Sequence, residues 1–194
     1  VKHSGLRHVT LHNCTLGDNV LIENVQNYIA NYRIGDDCFI QNINVMLVEG
    51  KATFGNNVEV SVLNETGGRE VPIYDGLSAS LAYIIALYRH RPALIERLRD
   101  MITAYTEGIA STEGTVGDKV KIVNIGTIRN VKIGDYATIE NSARLENGSV
   151  NSKREAPVFI GDSVIAQDFI VSSGAKIADA AKIIRCIIGQ ASKV

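Results

Sequence analysis

Leu16-Gly17-Asp18-Asn19-Val20-Leu21-Ile22-Glu23-Asn24-Val25 returns 18 positions later as Ile34-Gly35-Asp36-Asp37-Cys38-Phe39-Ile40-Gln41-Asn42-Ile43. Aliphatic residue, glycine, then Asp is the punctuation, and it recurs at Val116-Gly117-Asp118, Ile133-Gly134-Asp135 and Ile160-Gly161-Asp162. A smaller period of six runs through Ile22, Tyr28, Ile34, Ile40 and Met46, and again through Val116, Ile122 and Ile128. Six residues cannot satisfy their own backbone groups or bury their own aliphatic side chain, so units of this kind have to stack. If three short strands make one triangular turn, the period-six residues point inward and equivalent strands of successive turns pair in parallel at about 4.8 Å. The glycine then serves a tight corner, by positive φ or close approach, with Asp or Asn tolerating the left-handed conformation beside it. A small residue is expected at the next inward position: Val20, Cys38, Val58, Val120, Ala137, Ala143, Ser149, Val164, Ala175 and Ala181. Repeated asparagines (Asn24, Asn42, Asn124, Asn130, Asn141, Asn147) suit corners and side-chain ladders.

The repeat stops after Val62 and resumes near Thr115. Between them, Asp75 or Ser78 can cap a helix carrying Leu77, Leu81, Ile84, Ile85 and Tyr88. Pro92 can then start a second with Ile95, Leu98, Ile102 and Tyr105, ended by Gly108. The expected fold is mainly β: a parallel β-helix of six-residue repeats interrupted by an α-helical hairpin. Its parts are coils over 1–63, the insertion over 64–115 and coils over 116–194. A polar loop is expected between Gly148 and Val158, because Gly134 to Gly161 is 27 whereas Gly117 to Gly134 is 17. Both ends read as coils in progress, from Leu6 at one and up to Gly189 at the other, so the expectation is a piece of a longer protein.

Composition narrows the function. A net charge of −1 supplies no basic field for nucleic acid, and 6% aromatics without Trp suit a narrow core of Ile, Val and Ala. No apolar run approaches the roughly 20 residues of a membrane helix and no basic-then-apolar leader is present, which makes the cytoplasm the default expectation. Cys14, Cys38 and Cys186 are odd in number and lack CxxC spacing, so they read as small residues in a reducing compartment, with no metal site.

Functional residue types concentrate at the interruption. In Asn64-Glu65-Thr66-Gly67-Gly68-Arg69-Glu70, the glycines and Arg69 can offer N–H groups and a guanidinium to a phosphate or carboxylate. Glu65 can act as a base or hold a sugar hydroxyl, and a plain glycine turn with a salt-bridged arginine is the alternative. Arg89, His90 and Arg91 form a cationic patch that also complements the dipole of the first helix. His90 is the best histidine for general-base work, since His3, His8 and His12 alternate like solvent-facing strand residues. The catalytic candidates are therefore His90 and Glu65. The candidate binding residues are Asn64, Gly67, Gly68, Arg69, Arg89 and Arg91, and Glu65, Gly68, Arg69 and the turn Arg89 to Arg91 are expected to line one anion-accepting groove.

The repeat resembles the hexapeptide-repeat left-handed β-helix superfamily, whose crossovers depart from the usual right-handed rule. The resemblance implies one of two roles. The first is an acyl-CoA-dependent acyltransferase working as a homotrimer on a sugar phosphate or nucleotide sugar, with acyl-CoA as cofactor. The second is the noncatalytic scaffold or oligomerisation part of a sugar-phosphate nucleotidyltransferase, since no GxGxRxxP nucleotide loop occurs here. The stretches Asn64 to Pro72 and Tyr88 to Pro92 are similar to an uncharacterised bacterial family of long hexapeptide-repeat proteins. Members of that family are labelled as related to UDP-N-acetylglucosamine pyrophosphorylase and acetyltransferase proteins.

Overall fold

Three columns of aliphatic residues run through the molecule, each built by parallel strand pairing. The first is Leu6, Ile22, Ile40, Ile122, Ile139, Ile160 and Ile177. The second is Leu11, Ile29, Met46, Ile128, Leu145, Ala166 and Ile183. The third is Leu16, Ile34, Val116, Ile133, Val150, Val171 and Ile188. Away from the first rungs their members are buried, and together they form one continuous core. Burying an isoleucine contributes about 1.5–3 kcal/mol, so the columns are the main source of stability. The computed structural model describes residues 3–63 and 67–194. It is mainly β with parallel strands and two helices, α1 (Ala79–Leu87) and α2 (Pro92–Ile109).

The six-residue period holds for Ile22, Ile34, Ile40, Met46, Val116, Ile122 and Ile128, all buried, but not for Tyr28, which is exposed. Ile29 takes the column position because that side of the turn carries one extra residue. Of the expected small residues, Val20, Cys38, Val120, Ala137 and Ala175 are buried in one row, whereas Ala143 is exposed and Ser142 is buried beside it. Ile160-Gly161-Asp162 also belongs elsewhere: Ile160 stands in the first column and Ile133 in the third, so the two landmarks lie on different sides. The polar loop does occur, over 151–157.

The core is too narrow for two large side chains on neighbouring rungs. Tyr32 is fully buried and lies against Gly114 of the next rung, where a Cβ would strike its ring. Its hydroxyl donates to the Val131 carbonyl at 2.8 Å, and burial pushes the phenol above its ordinary range. Phe169 uses Gly148 in the same way.

Parallel pairing continues to Leu47, and the Val48 N–H still reaches the Ala30 carbonyl at 3.3 Å. It resumes with Gly114 opposite Tyr32. The insertion is therefore 49–113 and begins earlier than the expected boundary at 63/64. Val58–Ser61 is not a coil strand, because it pairs antiparallel with Glu70–Ile73, placing Val58 opposite Ile73. Phe54-Gly55-Asn56-Asn57-Val58 imitates the repeat's punctuation, and apolar alternation is the same for parallel and antiparallel strands.

The two expected helices occur, joined by the turn at 88–91. Ser78 caps α1, its hydroxyl accepting from the Leu81 N–H at 3.2 Å, and Pro92 opens α2. Val71, Tyr74, Ile85, Ala86 and Ile102 form the insertion's own core. Its neck is closed by reciprocal backbone bonds between Ala52 and Ser111, at 2.9 and 3.0 Å. No helix among the described residues is long and apolar enough to cross a membrane.

Candidate functional site

Among the candidate site residues, Asn64 and Glu65 lie outside the described residues. Gly67 and Gly68 adopt positive φ of 86° and 90°, where only glycine is unstrained, and the Gly68 N–H donates to the Glu70 carboxylate at 2.8 Å. That carboxylate is held below its usual range, first by its own N–H and that of Gly68, with smaller contributions from Arg89 and Arg99. The Arg89 guanidinium donates to the Glu70 carbonyl at 2.8 Å, and Arg99 donates to the same oxygen at 3.0 Å while pairing with Glu59. The glycine turn and the interhelical turn are thus brought together through Glu70.

Arg89 meets backbone there, and its buried Nε has no hydrogen-bond partner. Arg69, His90 and Arg91 are exposed, and the His90 ring lies beside Tyr88, centroids 5.6 Å apart and tilted by 31°. A hollow of about 440 Å³ next to Arg89 and Arg99 also takes Glu96 and Asp100, whose carboxylates oppose an anion. The arrangement suits a structural clamp better than a phosphate seat.

A more complete set of polar groups meets where the insertion rests on the parallel stack. Asp75, which follows the strand Glu70–Ile73, accepts from the Asn151 side-chain amide at 2.8 Å. Its other oxygen faces the Asn56 amide and the Tyr105 hydroxyl of α2, both at 3.4 Å. The Asp75 N–H donates to the Asn56 side-chain oxygen at 2.8 Å. Asn56 is buried at 1% exposure and lies 3.4 Å from the Ser149 hydroxyl, which donates to the Phe54 carbonyl at 2.7 Å. The phenol of Tyr105 is pushed up by burial and then by the Asp75 charge, and its ring meets Tyr74 edge-on at 5.5 Å.

Asp75 and Tyr105 line a cleft of about 340 Å³ together with Lys132, Asn151, Ser152 and Lys153. Lys132 is half-buried and Lys153 exposed; among the described residues neither ammonium makes a hydrogen bond or an ion pair. The sequence reading missed this cleft. Asp75 stood there as an alternative helix cap and Tyr105 as part of an apolar face. The one available signal was the polar loop at Asn151-Ser152-Lys153. No group of three or more His, Cys, Asp or Glu among the described residues is arranged to hold a metal ion.

A protein of Treponema pallidum (strain Nichols), itself described as uncharacterized, is 26% identical to this chain over 185 residues. The match covers 90% of this chain and 25% of that protein, so the chain spans about a quarter of the relative's length. A family model covers residues 1–194 throughout, and the chain accordingly belongs to DUF4954, a domain of unknown function.

Proposed function

We propose that this chain is a rigid, noncatalytic binding module built on a left-handed parallel β-helix of hexapeptide repeats, with the helical insertion held against its side. The winding is supported by three stacked columns with a regular step, and by Asn and Asp residues at positive φ on the corners. Asn24, Asn42, Asn124 and Asn141 pass side-chain hydrogen bonds along one corner at 3.2, 3.0 and 2.8 Å, ending on Asp162 at 2.7 Å.

The observation that carries the noncatalytic reading is the use made of two of the insertion's cations: Arg89 and Arg99 both donate to the Glu70 carbonyl. Guanidiniums committed to backbone strengthen a fold and are not free to stabilise a transition state. An acyl transfer to a sugar phosphate or nucleotide sugar, with His90 and Glu65 as the acid–base pair, is the competing reading. His90 is exposed, and exclusion of water from the base is part of efficient acyl transfer. Acetyl-CoA consumption by the purified protein, measured against a panel of amino sugars and nucleotide sugars, is expected to stay at background. Turnover that disappears in His90→Ala would establish the transferase reading in its place.

A further inference from the structure

We infer that the cleft between Asp75, Tyr105, Lys132 and Lys153 binds a small phosphorylated polyhydroxy compound. The inference rests on the reading of the chain as a binding module and deepens it by giving the ligand class. Three observations point the same way. First, the cleft joins two independently built parts: Asp75 and Tyr105 come from the insertion, whereas Lys132 and the 151–153 loop come from the parallel stack. Such seams are where small-molecule sites commonly form, and about 340 Å³ falls at the small end of the usual range.

Second, among the described residues the hydrogen-bond donors to the Asp75 carboxylate are neutral: Asn151 at 2.8 Å, Asn56 at 3.4 Å and Tyr105 at 3.4 Å. The two longer contacts leave that oxygen with capacity for a shorter bond from a ligand hydroxyl. Third, Lys132 and Lys153 line the same cleft, and neither ammonium has a carboxylate within ion-pair distance among the described residues. The balance in the lining is two cations against one anion. A ligand that answers the two lysines carries up to two negative charges at one end, and one that answers Asp75 carries hydroxyl donors at the other. A phosphate monoester of a sugar or polyol has that form, with about −1.5 to −2 charges at pH 7. Its phosphate sits between the two lysines and its hydroxyls donate to Asp75. The Asn56–Ser149–Phe54 network beneath Asp75 fixes its backbone through the N–H, and the Asn151 amide at 2.8 Å orients the carboxylate before the ligand arrives.

The test is calorimetric titration of the purified protein with glucose 6-phosphate, inorganic phosphate and glucose in parallel. Saturable binding of the ester is expected, weaker binding of inorganic phosphate, and none of glucose. Lys132→Met and Lys153→Met should each weaken the ester by about tenfold or more, with melting temperatures unchanged because neither ammonium has a partner to lose. Asp75→Asn should weaken the ester and leave inorganic phosphate nearly as before. Absence of saturable binding at millimolar ester, or full binding by the double lysine variant, overturns the site. Equal affinity for ester and inorganic phosphate, with no effect of Asp75→Asn, overturns the polyhydroxy half of the ligand. Acetyl-CoA turnover with binding intact would overturn only the noncatalytic reading, and loss of binding without turnover only this one.

Discussion

At the scale of single residues, the glycine of each aliphatic-Gly-Asp triplet serves close approach. Gly17, Gly35 and Gly117 do not adopt positive φ; the left-handed positions fall two residues later, at Asn19, Asp37 and Lys119. What these three glycines make room for is the aspartate of the next rung. The Asp18 N–H donates to Asp36 Oδ1 at 2.7 Å, Asp36 to Asp118 at 2.9 Å and Asp118 to Asp135 at 3.0 Å. A Cβ on Gly35 would collide with the Asp118 carboxylate and stand 2.9 Å from the Gly117 carbonyl, which is backbone and cannot swing aside. Gly35→Ala should therefore cost about 1–3 kcal/mol, in the range of overpacked sites. Urea unfolding provides the measurement, and a wild-type midpoint would show that the rungs are not packed this closely. The triplet was legible in the sequence, but its purpose was not, because the contact it makes is with residues 18 or 82 positions away.

At the scale of elements, the antiparallel pair Val58–Ser61 and Glu70–Ile73 is held on the helical hairpin by two arginines converging on one carbonyl. Arg99 is the more informative of the two, since it also pairs with Glu59 on the opposite strand. Its bond to the Glu70 carbonyl is charge-assisted and partly buried, whereas the ion pair is half-exposed and contributes little. Arg99→Ala should lower stability by about 1–2 kcal/mol and speed amide exchange in the Val58–Ser61 and Glu70–Ile73 pair ahead of the parallel stack. Arg99→Lys should recover only part of the loss, because a single ammonium cannot span both partners. Exchange that accelerates uniformly through the molecule would contradict a local clamp. The helices themselves were readable from capping and apolar spacing. The hairpin strands were not, since Phe54-Gly55-Asn56-Asn57-Val58 has the composition of another coil.

At the scale of the whole molecule, the insertion is spliced into the stack without shifting its register. Corner aspartates step by 18, then 82, then 17 residues, and the side chains flanking the 151–157 loop step by 21. Val48 is the last residue bonded to the preceding rung and Gly114 the first to rejoin it, opposite Tyr32. Joining Val48 directly to Gly114 would convert the step of 82 into the 17-residue step found elsewhere in the stack. The shortened protein should keep a β-type circular dichroism spectrum and cooperative unfolding while losing its helical signal. Its melting temperature should fall, because Ala52 and Phe54 of the insertion are buried in the stack's core. A shortened chain that is unfolded would show that the insertion is part of the folding unit and not an addition to it.

The sequence by itself determined the parallel stacking, the period-six residues Ile22, Ile34, Ile40, Met46, Val116, Ile122 and Ile128 of the columns, the asparagine corners and the two helices. Each of these depends on local spacing, and spacing is written in the chain. Tertiary structure alone decided where the insertion leaves the stack, which turn residue takes a column position when a side has one residue more, and what the cations of the insertion are used for. It also decided the meeting of Asp75, Tyr105, Lys132 and Lys153, which come from four separate segments. Their convergence follows from the register of rungs far apart in sequence and from the way the insertion folds back on them. No period in the chain encodes the distance between a loop on one rung and a helix outside the repeat.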